Sequence, residues 1–533
     1  MLLLSFNLNA DQNEQPPLSF LQLGKNIYQK GILPDGKPIT ALGRDGQPFV
    51  INKTACIDCH RRSGLGTSES GLLISPITKE YLFKGSTEIG KELLDRVGVP
   101  RPIYTEDTLK TAIRAGLRPN GEKLHEIMPR YKFSDSDIDH LITYLKFLGT
   151  EPIPGLTDNQ IDFATIISPD MPEDDKELML TTIRTYFDHI NKDVRQLGHM
   201  KNPLHGRYKP YRKWKLHVWN LTGKPESWAT QLEDKYAKQP VFSLISGYGN
   251  WQPIHDFCKK NKVPSLFPIT DTPVVSDQNF YTLYFSKGIT LDAEVVAEEL
   301  LEISKQKNIG NILQIYNDEP ASSLAAKTLR EKLTKNKITT LDDLKIMSLE
   351  KMSPHQWKEI KEKYSPAVLI IWLNEKSTLK ILAQNKQNLP EHIYISSRLM
   401  NQYNPDFLKM QIPLSIRERV TTVHPFYIKS QKRNHLLRTK MWARIKKVKY
   451  KEEHIIANTY FGLALLTGAI NSSRYNLNRE YLLERFEHMI DNTVYRSIYP
   501  HLSLGPDQRY ASKGTYLIKA SPEIKARWKI PYH

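Results

Sequence analysis

Three cysteines in 533 residues, Cys56, Cys59 and Cys258, exclude a disulfide scaffold and any site built from four thiolates. Long apolar runs are equally scarce. The longest, Ile455 to Ile470, is interrupted by Asn458, Thr459 and Thr467 and falls short of the roughly 20 residues that cross a bilayer, so no transmembrane segment is expected. The chain has no G-x-S-x-G, Walker loop, G-x-G-x-x-G or H-E-x-x-H, which removes the common signatures of serine hydrolases, phosphate-loop NTPases, dinucleotide enzymes and zinc proteases. Acidic residues are also in deficit, 58 Asp and Glu against 75 Lys and Arg, for a net charge of +17. Ordinary fractions of hydrophobic (40%), charged (25%) and aromatic (10%) residues exclude disordered, collagenous and coiled-coil classes. At ~150 residues per domain the length predicts about three folding units.

Residues 1–17 carry a brief apolar run, MLLLSFNLNA, ending in Leu8-Asn9-Ala10, without the basic start of a full secretory signal; a truncated leader and a loose terminus both fit. The strongest chemical motif is ACIDCH, residues 55–60. Two thiols three apart followed at once by histidine read as covalent haem c attachment, with Cys56 and Cys59 on the vinyl groups and His60 on the iron. A thioredoxin-like C-x-x-C needs a βαβ setting, whereas this one lies in a Gly-rich polar stretch, and a zinc site needs a second ligand pair. Downstream, His125, Met128 and His140 are candidates for a sixth ligand. Met128 stands on a loop stiffened by Pro129, before an amphipathic helix that Ser134 starts and that carries Ile138, Leu141, Ile142, Leu145 and Leu148 on its apolar side. His140, on that helix, is expected to face solvent.

These residues resemble the class I cytochrome c family over about 18–149. LGKNIYQKG, residues 23–31, is similar to its first helix, in which Gly24 and Tyr28 pack against the last helix near Leu141 and Tyr144; Pro76 is similar to the residue whose carbonyl orients the proximal histidine. The resemblance implies a small all-α domain with one haem c, axial ligands His60 and Met128, outer-sphere electron transfer and assembly in the periplasm. The N-terminus then reads as a signal remnant. Cys258, beside Ile254 and Phe257, reads as a small core residue.

Residues 150–160, TEPIPGLTDNQ, read as a linker. Beyond it, strand-like runs at Ile161–Ile167, Val241–Ile245, Ile312–Tyr316 and Val368–Leu373 alternate with helical patterns at Glu173–Asn191, Ser227–Lys238, Thr290–Lys305 and Ala321–Thr334, the third with Thr290 as N-cap. Such alternation predicts α/β layers with parallel sheets, and residues 161–533 are too many for one compact unit, so two lobes are expected. Val241 to Thr290, with its Ser246-Gly247 turn and FPITDTP loop, and the closing LSLGPDQRYASKGTYLIK resemble type I periplasmic binding proteins of the Leu/Ile/Val-binding kind. The resemblance implies a ligand between the lobes, held by Ser246, Gly247, Asn250, Trp251, Thr270 and Thr272, with the loop YNDEPASS, residues 316–323, on the second lobe; strand-end loops and helix N-termini there favour anionic groups.

The expected whole is a multidomain periplasmic cytochrome fused to a solute-binding domain that docks a redox partner, such as a periplasmic dehydrogenase, or binds a small ligand. The alternative is a ligand-binding sensor or transport receptor. With both axial positions filled, enzymatic turnover at the iron is not expected. Residues 1–150 hold 19 basic and 17 acidic groups, so +15 of the +17 belongs to the remainder. It concentrates in Lys429–Lys451, ten Lys/Arg without an acid, and in Lys201–Lys215, with six more. In the periplasm nucleic acid is not the partner; an acidic redox partner, anionic lipid or a merely solvated helix face are the readings left. His199 and His205 read as a surface loop.

Overall fold

The computed structural model describes residues 19–43, 45–48, 54–69, 72–84, 103–198, 212–275, 280–375, 377–401, 414–428, 435–450, 453–473, 476–493, 497–505, 508–519 and 525–531. The proposed leader, His199, His205, most of Lys201–Lys215 and part of Lys429–Lys451 lie outside them. The chain divides into two compact units, Met1–Pro152 and Ile153–His533.

The N-terminal unit runs α1 (Phe20–Lys30), β1 (Ala41–Leu42), α2 (Cys56–His60), β2 (Ser68–Glu69), β3 (Leu72–Leu73), α3 (Lys79–Phe83), α4 (Glu106–Ala115), β4 (Arg130–Tyr131) and α5 (Asp135–Phe147). Ser134 caps α5 as the spacing predicts, its hydroxyl accepting from the Asp137 N–H at 3.1 Å. Helices α1 and α5 cross where Gly24 has no side chain: a Cβ there would stand 2.0 Å from the His140 carbonyl oxygen, so the crossing admits only glycine. One turn on, the Tyr28 and Tyr144 rings meet at 5.2 Å and the Tyr28 hydroxyl donates to the Arg61 carbonyl at 2.6 Å. Two expectations are corrected. The unit is not all-α, because β1 pairs with β4 and β2 with β3 in short antiparallel ladders. His140 does not face solvent; it is buried, with the Phe20 ring 4.7 Å away.

The C-terminal unit alternates strand and helix. Its first half contains β5 (Gln160–Ile167), α6 (Glu173–Gly198), β6 (Lys213–Asn220), α7 (Trp228–Lys238), β7 (Ser243–Ile245), α8 (Gln252–Asn261), β8 (Ser265–Leu266) and β9 (Thr282–Leu283). The strands form a parallel sheet in the order β6-β5-β7-β8-β9. Both faces are covered, which explains why β5 reads as a continuous apolar run rather than an alternation. Ile161, Phe163 and Ile167 enter one apolar cluster and Ala164 and Ile166 another.

The second half contains α9 (Ile289–Ser304), β10 (Ile312–Tyr316), α10 (Pro320–Lys335), β11 (Leu341–Lys345), α11 (Pro354–Tyr364), β12 (Val368–Ile371), α12 (Thr378–Gln384), β13 (His392–Ile395), α13 (Ser397–Asn401), α14 (Leu414–Arg417) and β14 (Val420–His424). Helix α9 is capped by Gly288, in the left-handed region at φ 56°, and not by the expected Thr290. A Cβ at Gly288 would lie 2.3 Å from the Asp271 carbonyl oxygen, so the close approach selects glycine over a hydroxyl cap. The chain then returns to the first half through α15 (Leu437–Ile445), α16 (Glu453–Ser472) and α17 (Arg479–Met489), and ends with β15 (Thr515–Lys519) and β16 (Lys525–Lys529) on the second sheet. That sheet has the order β11-β10-β12-β13-β14-β15-β16, parallel as far as β14 and antiparallel beyond it. Among the described residues α16 is the one helix long and apolar enough to cross a membrane, and it is mostly buried in the first half's core.

Arg479, at the start of α17, is buried and donates to the carbonyls of Pro154, Val241, Phe242, Asn261 and Lys262 and to the Tyr236 hydroxyl, at 2.6 to 3.2 Å. Asn261 and Lys262 close α8, so the cation also meets the negative end of that helix. Replacement by methionine keeps the length and removes the donor from five buried or half-buried carbonyls. Arg479→Met is expected to destabilise the full chain by about 3–5 kcal/mol. Urea unfolding followed by tryptophan fluorescence checks this; a midpoint unchanged from the parent chain refutes it.

Candidate functional site

Between the halves of the C-terminal unit lies a cavity of about 1040 Å³. The first half contributes Asp170, Asp174, Asp175 and Thr181 from the start of α6, Tyr248 and Asn250 after β7, and Thr270, Asp271 and Thr272 after β8. The second half contributes Glu319, Pro320 and Ala321 at the start of α10, Asn374 after β12 and Arg398 in α13. Most of these follow the carboxyl ends of parallel strands, where open α/β sheets place their binding sites. Lys447, Lys449, His454, Asn458 and Tyr499 come from the returning segment.

One side chain spans the cavity. The Arg398 Nε donates to Asp271 Oδ2 of the first half at 2.8 Å, and its Nη1 donates to Glu319 Oε2 of the second at 3.0 Å. Burial alone would lower the affinity of the guanidinium for its proton; Glu319 and Asp271 more than offset this and hold Arg398 charged. Beneath it, Asp292 in the first turn of α9 is fully buried and accepts from the Ser397 N–H at 3.0 Å, which fixes the start of α13. Burial pushes the Asp292 carboxyl up to about 7, against the opposing pull of Ser397 and Arg398 and with the help of Asp271. On α16, Asn458 is 5% exposed, lines the cavity and bonds the Tyr499 side chain, and its amide oxygen has no partner among the described residues. Tyr248 is pushed up to about 12 by burial and then by Asp271 and Asp170, and stays a neutral donor.

Of the residues expected at the ligand, the structure brings Asn250, Thr270 and Thr272 to the cavity, and also Glu319, Pro320 and Ala321 from the 316–323 loop. Ser246, Gly247 and Trp251 are not in its lining. The Ser246 hydroxyl is buried beside Met179 and Thr459, and the Trp251 indole is core and donates to Ser265 Oγ at 3.3 Å. Gly247, at φ 101°, makes the turn, and a Cβ there would stand 2.8 Å from the Trp251 ring. Their strand-end position is as predicted, yet the turn folds them inward and leaves the following residues to face the cavity.

No protein-family model and no curated protein matches the chain. Among solved structures, a branched-chain amino acid ABC transporter protein from Thermus thermophilus with bound valine matches with a TM-score of 0.51 at 11% identity, over 70% of this chain and 97% of its own. A leucine-binding protein from Thermotoga maritima (TM-score 0.46, 11% identity, 70% of this chain and 99% of that one) is also similar. So is a solute-binding protein from Rhodopseudomonas palustris in complex with 3,4-dihydroxybenzoic acid (0.48, 12%, 70% and 97%). The C-terminal unit has the two-lobed type I periplasmic-binding-protein fold. Its cavity is the interlobe cleft of that fold, with Arg398 drawn across it.

The haem c expected from ACIDCH is corrected. Among the described residues no group of three or more His, Cys, Asp or Glu side chains is placed to hold a metal ion, and the solved structure that carries the fold assignment is a ligand-binding protein. Cys56 packs into the N-terminal core with Ile27, Tyr104 and Ile142, and burial pushes its thiol up to about 12, so it stays protonated and unreactive. Cys59 is half-buried on the same helical turn. His60 donates from Nδ1 to the Ser75 carbonyl at 2.9 Å, one residue before the expected Pro76, and burial lowers it to about 4. Met128 packs against the N-terminal core as an ordinary apolar side chain. Iron ligation by His60 and Met128, an electron-transfer role and a redox partner therefore find no support in the fold.

Sequence reasoning missed Arg398, Asp292 and Asn458. For Arg398 the signal was present: Ser396-Ser397-Arg398 directly follows the apolar strand His392–Ile395. Asp292 and Asn458 sit inside apolar helices, where one polar residue announces nothing by itself.

The raised Asp292 sets a pH dependence. In the unfolded chain the carboxyl ionises near its ordinary 3.8, whereas in the folded unit it holds its proton to about 7. Its contribution to stability is therefore complete below about pH 4 and is lost as the pH rises towards 7. Asp292→Asn keeps an acceptor for Ser397 and removes the ionisation. The stability of the variant relative to the parent is expected to rise by about 2–4 kcal/mol between pH 4 and pH 8 in urea titrations; a difference that stays flat with pH refutes the assignment.

Proposed function

We propose that the C-terminal unit is a ligand-binding receptor that takes up a small organic solute between its halves, in the manner of a transporter's substrate-binding protein. One observation carries the reading: a single cavity is lined from both halves, and its wall holds a buried amide, that of Asn458, which bonds Tyr499 and whose oxygen has no partner among the described residues. A buried acceptor left unpaired costs about 1–3 kcal/mol, and a ligand donor in the cleft recovers it. Six carboxylates, Asp170, Asp174, Asp175, Glu177, Asp271 and Glu319, face the cavity against Arg398, Lys447 and Lys449. Two of the six are already engaged by Arg398. The balance favours a solute that brings N–H donors or a cationic amine over a simple anion. The valine and the dihydroxybenzoic acid in the similar structures named above are small organic solutes of the size class that such clefts enclose. An exported, periplasmic setting belongs to the same proposal.

Binding should also change the closure of the cleft, because the Arg398 bridge to Asp271 and Glu319 competes with any cation that enters. A thermal-shift screen of amino acids, amides and amines against the full chain tests the reading. At a free ligand concentration of 100 times Kd the expected stabilisation is about 2.7 kcal/mol. Asn458→Ala is expected to weaken the same ligand by about tenfold. Stabilisation by no member of the screen, or full binding by the Asn458 variant, counts against the receptor and against the Asn458 contact respectively.

A further inference from the structure

Helix α15 has one buried side and one apolar side that nothing among the described residues covers. Thr439, Trp442 and Ala443 are buried; Trp442 packs on the Tyr460 ring at 4.9 Å and near Tyr186, which fixes how the helix is turned. Leu437, Met441 and Ile445, four residues apart, therefore fall along one outward line and are 54%, 54% and 70% exposed. Around them stand Arg438, Lys440, Arg444, Lys446, Lys447 and Lys449, with no Asp or Glu anywhere from Leu437 to Lys449. Lys440 is engaged, reaching Glu453 at 3.3 Å, while Arg444, Lys447 and Lys449 are exposed.

We infer that this helix docks the protein on an anionic lipid surface, with Leu437, Met441 and Ile445 entering the headgroup boundary and the flanking Lys and Arg meeting the lipid phosphates. Charge complementarity selects the occupant. A line of aliphatic side chains flanked by Lys and Arg is the composition of an interfacial helix. Protein interfaces instead favour aromatic residues, Met and Arg at their centre and are depleted in Lys, whereas Lys supplies four of the six flanking cations here and the only aromatic side chain of α15, Trp442, is turned inward. A solvated basic face accounts for the charges but leaves the exposed apolar line unexplained. The segment runs on directly into Lys447, Val448 and Lys449, which line the interlobe cleft, so docking would bring that rim of the cleft to the headgroups. The inference stands on α15 alone and does not require the solute reading.

Co-sedimentation of the full chain with vesicles tests it, using phosphatidylcholine alone and an equimolar mixture of phosphatidylglycerol and phosphatidylcholine. Binding to the mixed vesicles is expected, about tenfold or more weaker on phosphatidylcholine alone and falling as salt is raised. Met441→Asp combined with Ile445→Asp, and separately Arg444→Glu, should each weaken it about tenfold or more. These side chains are exposed, so the unfolding midpoint and circular dichroism should match the parent and separate lost docking from lost folding. Absence of binding to the mixed vesicles overturns the proposal. So does parental binding by the Asp variant, which leaves charge alone, and so does capture by polyglutamate without capture by vesicles, which points to an acidic protein.

Discussion

A guanidinium buried among carbonyls organises the first half of the C-terminal unit. Arg479 reaches the segment that enters the unit at Pro154, the approach to β7 at Val241 and Phe242, and the end of α8 at Asn261 and Lys262. These three pieces are far apart in sequence from one another and farther from Arg479. Each presents carbonyls to the guanidinium, and an isolated buried acceptor is costly. A lysine, with three donors on a point, could not spread over them; the planar fork of arginine can. The approach to β7 sets where the turn at Ser246-Gly247 emerges, and the residues after that turn, Tyr248 and Asn250, form one wall of the cleft.

The order of the chain gives that contact its weight. Helices α16 and α17 complete the first half's apolar core, yet they are made only after the second half's parallel strands β10 to β14 have been laid down. The first half therefore cannot close before the chain has passed through the second, and the chain crosses between the halves three times. Such a topology makes the halves hinge rather than separate. In that setting Arg398 is a latch: it is rooted in α13, whose start is held by Asp292, and it touches a carboxylate on each side of the cleft. Its two ion pairs are partly exposed on the carboxylate side, so their net strength is modest and water or a cation can replace either.

Strands buried on both faces were legible because their apolar character is continuous. Ile312–Tyr316 coincides with β10, and Ile161–Ile167 differs from β5 by one residue. Helices with a one-sided pattern were legible, Ala321–Thr334 to within one residue at each end of α10, and Glu173–Asn191 at its start although α6 runs on to Gly198. Short elements were not. Strands β8 and β9 have two residues each, too few to carry a period. The site was legible as a place, the loops after β7 and β8, but not residue by residue, because whether Ser246 or Asn250 faces the cleft depends on a turn at positive φ that no local pattern reports. ACIDCH taught the opposite lesson. A motif of high local specificity implied a cofactor and a redox partner in one step, and the fold supports neither.

The excess of positive charge also changes meaning in three dimensions. Counted along the chain, Lys429–Lys451 is a run of ten cations, and the part of it that is described, from His435 to Tyr450, holds a helix whose inward side places Trp442 and Ala443 in the first half's core. A helix used only to keep a protein soluble has no reason to place Leu437, Met441 and Ile445 on the side opposite its own core. Exposing three large aliphatic side chains in one line forgoes several kcal/mol of burial, and that loss is recovered only against another apolar phase. The cations around the line repel a basic partner and attract an anionic one, so charge and hydrophobicity select the same kind of surface. Because the segment continues into the cleft wall at Lys447 and Lys449, the groups that would meet a lipid phosphate and the groups that face an entering solute belong to one stretch of chain.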